Sequence, residues 1–310
     1  MYYIGVDIGG TNIKSGVVSE SGEVISEYDI PTGADRPQEI VLQDILSSVK
    51  NAVECANLKL SDIKAVGVGS PGDIDNKNGI VIYNNNLGWR NFHIAELMSK
   101  ELNLNVHLEN DADAAALGEV ISGSARGASS AMIVTLGTGV GTGFVINGKI
   151  WPGCEFGHMV INCDGKLCTC GRRGCFEAYS SATGLINMTR EAINLNPESI
   201  LTKIADREKN ITGKTAFDAL DQGDPVAKKL IDEYINYLAC GLVNFINGLH
   251  PEIISIGGGI AKQGEKLLKP LREMVNKEIY GGENKNNKTK IVACTLGYKA
   301  GLIGAAMAAK

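Results

Sequence analysis

The chain opens on two apolar runs, Ile4 to Ile8 and Ile13 to Val18, split by Gly9-Gly10-Thr11-Asn12. Short apolar runs separated by a glycine turn predict strand, turn, strand. A Ser21-Gly22 turn then leads into Val24-Ile25. Over residues 37–58 the apolar positions Ile40, Val41, Ile45, Val49 and Val53 recur near helical spacing, and Pro37 suits a first helical turn. Ile63 to Gly69 has the pattern of a buried strand ending at Ser70-Pro71-Gly72. A helix is expected near 92–102 and a strand over 104–108. Glu109-Asn110-Asp111 then opens an alanine-rich helix running to about Ile121.

Residues 131–150 repeat the opening pattern. Ile133 to Leu136 reads as a strand, Gly137-Thr138-Gly139 as a glycine turn and Gly143 to Ile146 as a second strand. Asn147-Gly148 is a hairpin signal ahead of Lys149-Ile150. Ile8-Gly9 matches Leu136-Gly137 at an offset of 128 residues, and Gly16 matches Gly143 at 127. This suggests two related halves, each offering a glycine turn toward a common cleft. Residues 151–177 form an irregular segment rich in Cys and Gly. Helices follow to about 249, one of them amphipathic over 226–249. Pro251 to Ile256 predicts a strand ending in Gly257-Gly258-Gly259, followed by a helix to about 279. The polar stretch Gly281 to Lys290 reads as a solvated loop. A strand at 291–294 and a helix at 299–309 close an alternation that predicts an α/β fold.

A chain of 310 residues is long enough for two domains. Its 30 Lys and Arg against 35 Asp and Glu leave a net charge of −5, which argues against a general nucleic-acid binder. No apolar run approaches the roughly 20 residues of a membrane span. Met1 leads directly into Tyr2-Tyr3-Ile4-Gly5-Val6 with no basic leader, so a cytoplasmic chain is expected. Thiols stay reduced there, and the 8 cysteines read as thiols or metal ligands.

Asp7-Ile8-Gly9-Gly10-Thr11-Asn12 places a carboxylate at a strand end beside exposed backbone N–H groups. Glycine lets a phosphate approach the backbone, and Thr11 and Asn12 add hydrogen-bonding groups. The plain alternative is a tight hairpin with no ligand. A second such turn, Gly137 to Gly143, favours a nucleotide's phosphates. Other nucleotide motifs fail. Gly143 to Lys149 nearly fits a P-loop, but Ile150 stands where Ser or Thr should hold Mg²⁺ and Trp151-Pro152-Gly153 replaces the helix. Asp111, at a helix start, is suited to accept a proton from a substrate hydroxyl. Position alone favours helix capping, by either Asn110 or Asp111.

Cys168-Thr-Cys170-Gly-Arg-Arg-Gly-Cys175, with His158 upstream, is the strongest chemical signal. Cys₃His is an ordinary zinc set, although this is not finger spacing. The alternative is a group of incidental loop thiols, and Cys163 is a rival ligand. Cys55, Cys240 and Cys294 are expected in the core, and His93, His107 and His250 in structural roles.

Taken together, these residues resemble the ROK family of sugar kinases and repressors, in the hexokinase–actin-type ATPase superfamily. The matching pieces are Asp7-Ile-Gly-Gly-Thr-Asn12, Gly69-Ser-Pro-Gly72, Asn86-Leu-Gly-Trp89, Glu109-Asn-Asp-Ala112, Leu136-Gly-Thr-Gly139, Glu155-Phe-Gly-His158, Cys168 to Glu177 and Ile256-Gly-Gly-Gly259. Cys154 departs from the small Gly or Ala that usually precedes the position of Glu155. The resemblance implies a two-lobed actin-like (ribonuclease H-like) α/β fold with a zinc-bearing loop. Residues 1–117 and 297–310 would form a small lobe, and 118–296 a large one. It further implies ATP, arriving with Mg²⁺, at Asp7, Gly9, Gly10, Thr11, Asn12, Lys14, Gly137, Thr138 and Gly139, with adenosine near Gly257, Gly258 and Gly259. Asp111 would be the catalytic base. Gly69, Asn86, Asn110, Asp111, Glu155, His158 and Glu177 would line the sugar. One structural Zn²⁺ would sit on His158, Cys168, Cys170 and Cys175.

The expected activity is ATP-dependent phosphorylation of a hexose 6-hydroxyl, with glucose as substrate and a homodimer as the assembly. N-acetylmannosamine, fructose or another hexose is the alternative. A non-catalytic sugar-responsive repressor would carry a helix-turn-helix ahead of the first hairpin, and the expectation is that residue 4 leaves no room for one. An actin-like structural ATPase is disfavoured by the zinc loop.

Overall fold

The computed structural model describes residues 1–84, 87–206, 210–282 and 289–310. Its first sheet is built from β1 (Tyr2–Ile8), β2 (Asn12–Ser19), β3 (Val24–Pro31), β4 (Ile63–Ser70) and a strand at Asn105–Asn110, in the order β3-β2-β1-β4-(105–110). The three N-terminal strands form an antiparallel meander in which Asp7 faces Lys14 and Ile8 faces Ile13. β4 joins β1 in parallel, and the strand at 105–110 joins β4 in parallel. Helix α1 (Gln38–Cys55) buries Val41, Leu42, Ile45, Leu46, Val49 and Val53, while Ile40 points outward. That stripe is about 100° wide, the width a core-facing helix needs.

A small sheet that the sequence pattern does not announce comprises β5 (Asp73–Asp75), β6 (Ile80–Asn84) and β7 (Trp89–Phe92). Its strands have three to five residues, and Ile82 and Tyr83 are both exposed. So short a pattern carries no readable period. Helix α2 (Ile94–Leu102) leads to β8, the strand at Asn105–Asn110, and helix α3 (Asp111–Ser122) follows it directly.

The sequence repeat extends beyond the hairpins. β9 (Ser130–Leu136), β10 (Val140–Ile146), β11 (Lys149–Trp151), β12 (Ile253–Gly257) and β13 (Lys290–Ala293) form a sheet of order β11-β10-β9-β12-β13. Strand for strand, this is the order of the first sheet. Between β11 and β12 lie α4 (Phe176–Ser180), α5 (Ala182–Leu195), α6 (Ile200–Ile204), α7 (Thr215–Asp221) and α8 (Pro225–Leu249). After β12 come α9 (Gly258–Ala261), α10 (Glu265–Glu278) and, past β13, α11 (Lys299–Ala308).

Two compact units emerge. The first comprises Met1–Ala131, Gly143–Pro152 and Thr295–Lys310, and the second Met132–Thr142 and Gly153–Cys294. In the first, α11 lies on β1, β4 and α3 at backbone distance. A Cβ on Gly67 would lie 1.7 Å from the Ala305 carbonyl oxygen, and one on Gly304 would lie 1.6 Å from that of Ala114. Glu119, buried in α3, accepts backbone N–H groups from Ser124, Thr295 and Leu296, which fixes the entry to α11. In the second unit α8 is the central helix, packed by α4, α5, α7 and α10. Asp224 caps it by accepting from Val226 and Ala227, with Pro225 in the first turn. Phe245 of α8 meets Phe176 edge-on at 5.7 Å, and the Tyr234 hydroxyl donates to the Ser180 carbonyl at 2.7 Å.

The core assignments of three cysteines need correction. Cys55 is the last residue of α1 and is exposed, Cys240 is exposed, and Cys294 is half-buried. Cys240 sits between the buried pairs Leu238-Ala239 and Leu242-Val243, so it falls on the outer side of the α8 turn. Among the described residues, no helix is long and apolar enough to cross a membrane.

Candidate active site

The first glycine turn is closed by the Gly9 N–H donating to the Asn12 carbonyl at 2.9 Å. β3 and the residue after it brace the turn. The Thr32 hydroxyl donates to the Gly9 carbonyl at 2.6 Å, its N–H donates to that of Thr11, and the Asn12 amide donates to Asp29 at 2.8 Å. Gly10 and Thr11 lie at the edge of this brace, Thr11 exposed. Asp7, half-buried at the end of β1, lies against the first turn of α11: a Cβ on Gly301 would be 2.9 Å from its carboxyl carbon. Burial, and secondly the charge of Asp111, push Asp7 up from 3.8 to about 6, although Lys14 opposes them. The Lys14 ammonium sits 4.3 Å from the centre of the Tyr298 ring.

The structure decides which residue caps α3. The Asn110 side chain accepts from Ala112 N at 2.9 Å and from Asp113 N at 3.3 Å, and its φ and ψ are extended. Asp111 is therefore the first helical residue, not the cap. Its carboxylate accepts the Ala112 N–H at 2.9 Å, at the positive end of the helix. Gly69 backs it: a Cβ there would stand 3.8 Å from the Asp111 Cα. Neighbouring Glu109 accepts the Asn110 N–H at 3.0 Å and lies 3.5 Å from His107.

In the second unit, Gly137 donates to the Gly139 carbonyl at 3.0 Å, and Thr138 is exposed at the tip. The segment after α4 grips this turn, since Ala182 N donates to the Gly137 carbonyl at 2.8 Å. Glu177 in α4 accepts the Val140 N–H at 3.0 Å on one oxygen and the Thr169 hydroxyl at 2.8 Å on the other. Gly257–Gly259 lies alongside. Gly258 has φ +84°, bridges Leu136, and its backbone leaves only 2.3 Å from a built Cβ to the Leu136 oxygen. The ends of β9 and β12 thus present both glycine runs side by side.

The ligand atoms of His158, Cys168, Cys170 and Cys175 all lie within 4.8 Å of one another. The Cys168 sulfur is 3.6 Å from His158 Nδ1, and the Cys170 and Cys175 sulfurs are 3.6 Å apart. Tetrahedral zinc with bonds of about 2.3 Å needs ligand separations of about 3.8 Å, so the donor set and its spacing fit zinc. Burial pushes the Cys168 thiol up to about 12 and raises Cys175, whereas the Arg172 backbone N–H lowers Cys170. A coordinated cation would remove those protons. Cys163, exposed, and Cys154, half-buried, both lie outside the cluster. Glu155 is exposed at the head of the 3₁₀ turn Phe156–His158, which Thr142 holds by donating to the Cys154 carbonyl at 2.6 Å.

Within the first unit, then, Asp7, Gly69, Asn110 and Asp111 come together around the strand ends. In the second, Gly137–Gly139, Gly257–Gly259, Glu177 and the metal ligands share one region. Asn86 lies outside the described residues. Sequence reasoning passed over Thr169 and Gly301. Thr169 had a signal, its place between two ligand cysteines; Gly301, in a plain alanine-rich helix, had none.

A ROK family model matches residues 3–310. The chain is 36% identical over 309 residues to a glucokinase of Halalkalibacterium halodurans, covering 98% of this chain and 93% of that one. Identity to a glucokinase of Thermotoga maritima is 37% over 312 residues, covering 98% and 95%. The crystal structure of a ROK family glucokinase from Streptomyces griseus, in complex with glucose and AMPPNP, matches with a TM-score of 0.81 and 35% identity over 100% of this chain and 99% of that one. A match along nearly the full length, on a mixed α/β fold with a zinc-compatible Cys/His loop, places this chain in the ROK family.

Proposed function

We infer that this protein is an ATP-dependent sugar kinase that phosphorylates glucose on its 6-hydroxyl. The observation that carries this reading is its likeness over nearly the whole chain to glucokinases, one of them solved with glucose and AMPPNP.

The chain's own groups suit the steps. Asp111 accepts the proton of the sugar hydroxyl as the oxygen attacks the γ-phosphorus of ATP, and the bond to the bridging oxygen breaks with ADP as the leaving group. Asn110 takes the capping duty, which leaves the Asp111 carboxylate available for this role. The turns Gly9–Asn12 and Gly137–Gly139 would receive the phosphates through backbone N–H groups other than those of Gly9 and Gly137, which close the turns; Lys14 adds positive charge, and Gly257–Gly259 leaves bare backbone for the adenosine. Mg²⁺ accompanying ATP would screen phosphate charge, and Asp7 would help to orient it. Gly69 and Asn110 of the first unit, and Glu155, His158 and Glu177 of the second, are the described groups that would bind the sugar. Glu177 already accepts from Val140, Thr169 and Cys168, yet a carboxylate has about four acceptor sites, so a sugar hydroxyl can be added. His158, Cys168, Cys170 and Cys175 would hold a structural zinc that fixes the loop carrying these groups. The homodimer and the cytoplasmic setting belong to the same reading, the latter because thiolate ligands need reducing surroundings.

The test is coupled ADP release across glucose, mannose, fructose and N-acetylmannosamine. Glucose should give the highest kcat/KM. Mannose should be poorer, because its inverted 2-hydroxyl misplaces a hydrogen bond. A win for N-acetylmannosamine would overturn the glucose assignment, and no turnover with any hexose would overturn the kinase reading.

A further inference from the structure

Glu177 has neighbours that a sugar ligand does not need. Its Oε2 accepts the Val140 N–H at 3.0 Å, directly after the Gly137–Gly139 turn. Its Oε1 accepts the hydroxyl of Thr169 at 2.8 Å, and Thr169 lies between the ligand candidates Cys168 and Cys170. The fit against the turn is close: a Cβ on Gly139 would lie 2.3 Å from Oε2. α4 makes a second connection. Its N-cap is Cys175, another ligand candidate, and just beyond its end Ala182 N donates to the Gly137 carbonyl at 2.8 Å. A helix of five residues is thus bounded by the metal loop at one end and the phosphate turn at the other.

We propose that the metal site and the nucleotide-phosphate turn are thermodynamically coupled through Glu177, Thr169 and α4, so that zinc binding tightens nucleotide binding. The inference rests on the kinase reading, in that Gly137–Gly139 is taken to receive phosphates. The physical argument is preorganisation. Backbone N–H groups bind phosphate well only when the turn is already held in the receptive shape. Zinc fixes Cys168, Cys170 and Cys175, and with them the Thr169 hydroxyl and the start of α4. The Cys168 sulfur also lies 3.5 Å from Glu177 Oε1. Without zinc, Thr169 and the start of α4 are held less rigidly, and the brace on the turn weakens. Thr169 and Glu177 act as positioning residues here, not on the reacting atoms.

Linkage makes the proposal strict, because zinc must favour nucleotide by the same factor as nucleotide favours zinc. Calorimetric titration of ADP into the full-length protein, zinc-loaded and then chelator-treated, should show Kd weakened about tenfold on zinc removal, within the usual range of coupling. Transfer of zinc to a chromophoric chelator should be suppressed by saturating ADP to the same extent. Thr169→Val should keep about one zinc per chain but bind ADP several-fold more weakly than the wild type, with the zinc effect reduced to about twofold. Should the stripped protein unfold, the zinc-loaded Thr169→Val comparison alone decides the matter, because that variant retains its metal. Unchanged ADP affinity in zinc-loaded Thr169→Val, or equal ADP affinity with and without zinc in a folded protein, overturns the coupling and leaves the kinase reading intact. Failure of the zinc-loaded wild type to bind ADP at all overturns both.

Discussion

Asp7→Asn should stabilise the fold at neutral pH, even while removing a proposed nucleotide ligand. Asp7 ends β1 half-buried, opposite Lys14 and close enough to Asp111 to be repelled by it. Burial and then Asp111 raise its pKa from 3.8 to about 6. Between those values the folded protein holds the Asp7 proton more tightly than the unfolded chain does. The stability this proton contributes is whole below pH 3.8 and is lost as pH rises through about 6. At about 1.36 kcal/mol per unit, the ionised group costs the native state no more than about 3 kcal/mol near neutrality. Solvent at the open edge of the site reduces that figure. Asparagine keeps the shape and removes the charge. For a chain of this size, at about 2 °C per kcal/mol, the variant should melt about 2–5 °C higher at about pH 8. At about pH 4 the two proteins should melt together, since both are then neutral at this position. Differential scanning calorimetry of the pair across that range reads the effect. A gain that persists undiminished at low pH, or a less stable variant at about pH 8, would refute the assignment of a disfavoured charge to Asp7.

Asp111→Asn should lower kcat by at least about 10²-fold while leaving the melting temperature and ADP affinity near wild type, because Asn110 already caps α3. Near-normal turnover would reduce Asp111 to a first-turn residue with no catalytic part. Cys170→Ser should lower zinc content, measured by elemental analysis of purified protein, and stability with it; Cys163→Ser should change neither, since Cys163 is exposed outside the cluster. Gly304→Ala should destabilise the protein by about 3 kcal/mol or more in denaturant titration, because its Cβ would meet the Ala114 carbonyl at 1.6 Å and backbone on both sides must move.

Much of this was legible along the chain. Each glycine turn, the buried strands around it and the long amphipathic helix now seen at Pro225–Leu249 carry their own local signals. So do the four ligands of the Cys/His loop, which sit close in sequence, so that a short glycine-rich segment brings three of them together. The repeat of the hairpins foreshadowed the matching strand order of two sheets. The β5-β6-β7 sheet was not legible, because strands of three to five residues with exposed Ile82 and Tyr83 show no period.

Only the tertiary structure settled what depends on neighbours distant in sequence. Asn110 and Asp111 are equally good caps by residue type, and the fold chose Asn110 through the dihedral angles at the end of β8. Cys55, Cys240 and Cys294 read as core positions on apolar faces, yet helix phase turned the first two outward. The raised pKa of Asp7 arises from burial and from Asp111, more than a hundred positions along the chain. The tie from Thr169 through Glu177 to Val140 joins residues 37 apart in its longer arm. Sequence specifies local conformation through side-chain size, backbone freedom and apolar period, which act over a few residues. Electrostatic environment and contact between elements act through space, and they take their values only when the chain has folded.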